Sequence, residues 1–95
     1  MSSNQFGDIK SYLEKGAIVL DVRTVAEYED GHVKGSAHIV LDDLEYEIDQ
    51  LLDLDKPIIT CCRSGARSER AKELLLTHGL DAINGGPWEN VESYL

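Results

Sequence analysis

Basic residues are scarce in this chain. Nine Lys and Arg stand against 18 Asp and Glu, giving a net charge of −9 over 95 residues. Binding a phosphate backbone needs a surplus of cations, so nucleic acid is excluded as a partner, and anionic membrane surfaces with it. Long apolar runs are missing too, and none approaches the roughly 20 residues of a membrane-spanning helix. The amino-terminal stretch MSSNQFGDIKSYLEKG lacks the basic start and apolar core of a secretory signal. Cysteine is limited to Cys61 and Cys62. A bridge between neighbours would be strained, which excludes a disulfide framework. Without a Cys-x-x-Cys pair, and with the histidines scattered, no metal site is expected. A reducing compartment, the cytoplasm, is the expected location. There is no repeat and no low-complexity tract. With 42% hydrophobic and 28% charged residues, the chain reads as one globular domain over residues 1–95.

What is present alternates. Phe6, Ile9 and Leu13 have helical spacing, and Gly16 ends that segment. Ala17–Leu20 is a continuous apolar run, read as a buried strand. Thr24 with Glu27 forms a capping-box pattern for a short helix over Val25–Asp30. Ala37–Val40 reads as a strand. Asp42 or Asp43 is expected to cap a helix carrying Leu44, Ile48, Leu51 and Leu52. Ile58–Cys61 reads as a central strand, Glu69–Leu76 as a helix and Asp81–Asn84 as a last strand. Gly85–Gly86–Pro87 is expected to turn, with Pro87 at the first position of a terminal helix. Strands alternating with helices favour a mostly parallel sheet covered on both faces.

Between the central strand and its helix lies the run Cys62-Arg63-Ser64-Gly65-Ala66-Arg67-Ser68. Backbone amides at a helix start point outward and carry partial positive charge, so such a loop cradles anions. A thiol there loses its proton more easily than a free cysteine. A buried, inert core cysteine is the bland alternative, and the polar loop with Gly65 opposes it. Cys62 lies at the carboxyl end of a strand, as do Asp21 and Arg23, which is where open α/β sheets bind ligands.

Three motifs in order resemble the rhodanese family of sulfurtransferases. They are CRSGARS from Cys62 to Ser68, DVRTVAEYEDGHVKGSAHI from Asp21 to Ile39, and Gly85-Gly86 followed by Trp88. The likeness runs from about Ala17 to Trp88 and departs mildly from the family pattern. Lys34 stands where proline is common, Ser36 where alanine is common, and Cys61 where an aromatic residue often precedes the nucleophile. The resemblance implies a three-layer α/β fold with a mostly parallel, five-stranded sheet. It also implies that Cys62 takes a sulfane sulfur from a small anionic donor such as thiosulfate. Cys62 would hold it as a persulfide and pass it to cyanide, a thiol or a thioredoxin-like acceptor. No cofactor is implied.

Around Cys62, the loop residues Arg63, Ser64, Gly65, Ala66 and Arg67 are the expected substrate-binding set. Arg67 and Arg63 are suited to recruit an anion, and Gly65 to let the backbone approach it. Capping is the expected job of Ser64 and Ser68. Asp21 and Arg23 form an expected ion pair bracing the cysteine loop. His32 is expected to bond the backbone of its turn, while His38 and His78 look incidental. Trp88 is a core or rim aromatic. Cys61 should point to the opposite face from Cys62. Two rivals remain. The shorter loop between Cys62 and Arg67 counts against a phosphatase or arsenate reductase, and the cysteine itself counts against a non-catalytic binding module.

Overall fold

The computed structural model describes residues 6–95 and turns the alternation of segments into a parallel sheet wrapped by helices. Helix α1 (Ile9–Glu14) starts on Asp8, whose carboxylate accepts from the Ser11 amide at 3.1 Å. Gly16, at φ +85°, turns the chain out of it. Strand β1 (Ile18–Asp21) follows. Helix α2 (Val25–Glu29) opens with the capping box: Thr24 Oγ1 accepts from the Glu27 amide, and Glu27 Oε1 accepts from the Thr24 amide at 3.0 Å. Strand β2 (Ala37–His38) is two residues long.

The next segment departs from expectation. Leu41–Glu47 winds as 3-10 turns, without a side-chain cap from Asp42 or Asp43, before helix α3 (Ile48–Leu54). Leu41 and Leu44 are three apart, which suits three residues per turn and sets both against the core. Strand β3 (Ile58–Cys62) leads to helix α4 (Ala66–Thr77), which starts three residues before the expected Glu69. Strand β4 (Ala82–Pro87) and helix α5 (Trp88–Glu92) complete the chain.

The strand order is β2-β1-β3-β4, all parallel. Among the described residues the sheet has four strands, where the resemblance implied five. Beyond the β4 edge, the Gly7 amide donates to the Asn84 carbonyl at 3.0 Å, and the chain then turns into α1 rather than extending a ladder. Gly85–Gly86–Pro87 lies inside β4 and is not a turn between elements. Thr60 pairs with Asn84 but Cys62 with Pro87, so β4 carries a bulge. A Cβ on Gly85 would lie 2.5 Å from Val91 Cγ2 and 2.9 Å from the Thr60 carbonyl oxygen, so only glycine fits. Pro87 closes the strand as the cap of α5, one position earlier than expected.

The sheet separates two apolar layers. Leu20, Ile58 and Cys62 face α3 and α4, against Leu44, Leu51 and Leu75. Val19, Ile59 and Cys61 face the opposite side, against Ile9 and Val91. Strand alternation therefore puts the two thiols on opposite faces. Each fully buried Leu or Ile contributes about 1.5–3 kcal/mol, so these layers hold β3 and its carboxyl end in place.

Candidate active site

Cys62 is the last residue of β3, and its side chain has no exposed surface. The loop then folds back over the sulfur. Gly65 takes φ +106°, a left-handed conformation that brings its amide to 3.0 Å from Cys62 Sγ. The Ser68 amide lies 3.4 Å away and the Ser68 hydroxyl 3.2 Å. Burial pushes the Cys62 thiol up. The Ser68 hydroxyl, with the amides of Ser68, Gly65 and Ser64, outweighs that and holds it below its ordinary value. The start of α4 adds its partial positive charge. Among the described residues Cys61 has no such donors, and burial pushes its thiol far up. The two neighbouring thiols are thus shifted in opposite directions.

Ser68 does not cap α4. Gly65 occupies the cap position without a side-chain bond, and the buried Ser68 faces the sulfur. Ser64, Arg63 and Ala66 are exposed on the outer side of the loop. Arg63 lines an open cleft of about 510 Å³ with Arg23, Glu27, Asp30, Trp88 and Glu89. Arg67 makes a two-pronged ion pair with Glu27, at 2.8 and 3.0 Å, tying α4 to α2. That pair, with the Thr24 amide, lowers Glu27 to about 2.

Asp21 and Arg23 are both buried and fully engaged with each other. Arg23 Nε and Nη2 donate to the Asp21 carboxylate at 2.9 and 2.7 Å. Two further guanidinium hydrogens, on Nη2 and Nη1, go to the carbonyls of Gly31 at 2.7 Å and Glu27 at 3.2 Å. The guanidinium also sits 5.2 Å from the Trp88 ring. The pair therefore fixes α2 and the Gly31 turn, and reaches the cysteine loop through Glu27 and Arg67.

His32 bonds the Tyr28 carbonyl at 2.7 Å, as its turn suggests. His38 is not incidental. Its Nε2 donates to the Arg23 carbonyl at 2.8 Å, and it stacks on Tyr28 opposite His32. Among the described residues no cluster of His, Cys, Asp or Glu is arranged to hold a metal ion, and no helix is long and apolar enough to cross a membrane.

Two neighbours of the loop were not singled out from sequence. Asn84 lies beside Thr60 in the sheet and bonds Ser68. Phe6 packs over Gly65 and Gly86. A lone polar residue within the last apolar strand was the available signal for Asn84. Phe6 read only as part of a helical spacing.

The sequence pattern of the rhodanese-like domain family matches residues 6–87. The chain belongs to that family. It is 32% identical over 77 residues to thiosulfate sulfurtransferase GlpE of Pseudomonas fluorescens strain SBW25, covering 77% of this chain and 69% of that one. It is 37% identical over 65 residues to YrkF of Bacillus subtilis, covering 68% of this chain but 35% of the relative, so it spans about a third of that protein. The human single domain sulfurtransferase TSTD1 superimposes with a TM-score of 0.69 at 26% identity, over 86% of this chain and 87% of that one. The cysteine loop, the Asp21–Arg23 pair and the bulge at Gly85–Gly86 thus belong to a rhodanese-like domain.

Proposed function

We propose that this rhodanese-like domain is a sulfurtransferase in which Cys62 carries the sulfur. The Cys62 thiolate attacks the outer sulfur of thiosulfate. The S–S bond of the donor breaks, sulfite leaves with the bonding pair, and Cys62 becomes a persulfide. An acceptor, either cyanide or the thiolate of a thiol or thioredoxin-like protein, then attacks the outer sulfur and Cys62 leaves as thiolate. The donors that hold the thiolate also fit the anionic persulfide, so the cycle needs no general base. One observation carries the reading: a buried Cys62 Sγ surrounded by the Gly65 and Ser68 amides and the Ser68 hydroxyl. Arg63 is the exposed cation beside the loop and recruits the anionic donor, while Arg67 keeps the loop in register through Glu27. Two free thiols held on opposite faces suit a reducing compartment, the cytoplasm.

The test is thiocyanate formation from thiosulfate and cyanide. Wild type and Cys61→Ser turn over, and Cys62→Ser does not. Equal turnover by Cys62→Ser overturns the assignment. The full burial of Cys62 favours a second reading, a module that opens for one protein donor only. Its signature is no thiocyanate from thiosulfate, with sulfur gained on Cys62 from a protein persulfide.

A further inference from the structure

The Ser68 hydroxyl has one hydrogen and two claimants. Its oxygen lies 3.2 Å from Cys62 Sγ and 2.7 Å from Asn84 Oδ1. Asn84 is 7% exposed, and every hydrogen-bonding position of its amide is filled. Oδ1 accepts from the Ser68 hydroxyl and from the Gly86 amide at 2.8 Å. Nδ2 donates to the Gly65 carbonyl at 3.0 Å and to Glu69 Oε1 at 3.1 Å. The Gly86 and Gly65 bonds leave one orientation of the amide: turned over, Nδ2 would face the Gly86 N–H and Oδ1 the Gly65 carbonyl. Asn84 therefore touches Ser68 and Gly65, two of the residues that donate to the Cys62 sulfur.

We propose that Asn84 is a positioning residue for Cys62. Through its Oδ1 it orients the Ser68 hydroxyl, and through its Nδ2 it holds the Gly65 carbonyl, one peptide unit on from the Gly65 amide that donates to the sulfur. When Cys62 is a thiol, S–H donates to Ser68 Oγ and the Ser68 hydrogen goes to Asn84 Oδ1. When the thiol proton leaves to solvent, the Ser68 hydrogen turns to the thiolate, and Asn84 keeps its bonds to Gly86 and Gly65. A neutral amide permits this exchange because its oxygen carries no full charge to compete with the sulfur. A carboxylate at the same place would retain the Ser68 hydrogen, repel the thiolate and lose its bond to the Gly65 carbonyl. The charged groups nearby are already compensated: Glu69 pairs with Lys72 at 2.9 Å and Arg67 with Glu27. Buried Asp21 on β1 is held by Arg23.

This inference rests on the reading of Cys62 as the sulfur carrier, but its test does not require sulfur transfer. Alkylation of Cys62 by iodoacetamide is followed against pH, with the modified peptide identified by mass, in wild type, Asn84→Asp and Asn84→Ser. In Asn84→Asp the midpoint moves up by about one unit or more, and the rate near neutral pH falls about tenfold. Asn84→Ser keeps an acceptor for Gly86 but not the tie to Gly65, and shifts in the same direction by less. Unchanged midpoints in variants that unfold cooperatively overturn the proposal. If neither variant folds, the Asn84 side-chain amide resonances of wild type decide. They follow the Cys62 midpoint and become pH-independent in Cys62→Ser; amide resonances that ignore pH in wild type overturn it. A shifted midpoint in a protein that forms no persulfide leaves the positioning role standing and removes only the sulfur chemistry.

Discussion

Replacing Gly65 by alanine tests the cradle at its tightest point. Gly65 holds φ +106°, outside the region an L residue occupies comfortably, which costs about 1–2 kcal/mol. The new Cβ would lie 2.9 Å from Phe6 Cε1 and 3.5 Å from the Gly86 Cα. Relieving such an overpacked contact costs about 1–3 kcal/mol more. The expected loss is therefore about 2–5 kcal/mol, a large share of the roughly 5–14 kcal/mol of a domain this size. Any relaxation of the backbone also moves the Gly65 amide off Cys62 Sγ, now 3.0 Å away. Urea unfolding measures the first effect, and iodoacetamide reactivity at Cys62 the second. Phe6→Ala in the Gly65→Ala background relieves the contact but not the backbone strain, so the pair should couple by about 1 kcal/mol. A loss under about 0.5 kcal/mol with unchanged Cys62 reactivity would refute the reasoning.

Asp21→Ala leaves Arg23 buried without its counter-ion, and urea unfolding should show a loss of about 3–5 kcal/mol. Ser68→Ala removes a donor to the thiolate, so the pH midpoint of Cys62 alkylation rises and the rate at neutral pH falls, while near-ultraviolet dichroism stays the same. Glu27 titrates at about 2 in the fold against 4.5 ordinarily. Its contribution is therefore complete above the ordinary value and is lost as the pH falls toward 2. Glu27→Gln should flatten the acid side of a stability-against-pH curve in that window, and an unchanged acid limb would show that the Arg67 pair adds nothing.

The periodic parts of the chain were legible because their signals are local. The capping box at Thr24 and Glu27 needs residues three apart, and the buried runs at Ala17–Leu20 and Ile58–Cys61 follow from composition alone. The opposite orientation of Cys61 and Cys62 follows from strand alternation. Gly-Gly-Pro at residues 85–87 signals a turn as readily as a bulge, and only pairing with Thr60 and Cys62 separates them. Ser68 is ambiguous in the same way: Ser near a helix start usually caps, but Gly65 takes that position. Asn84 and Phe6 reach the cysteine loop across 16 and more residues of sequence, and no local spacing records such a contact.

The account stands most directly on the mass of the protein after brief exposure to thiosulfate. Wild type and Cys61→Ser should each gain one sulfur, about 32 Da, on the peptide containing Cys62, and cyanide should remove it. Cys62→Ser should gain nothing. No added sulfur on wild type, or the same gain in Cys62→Ser, would contradict a persulfide at Cys62.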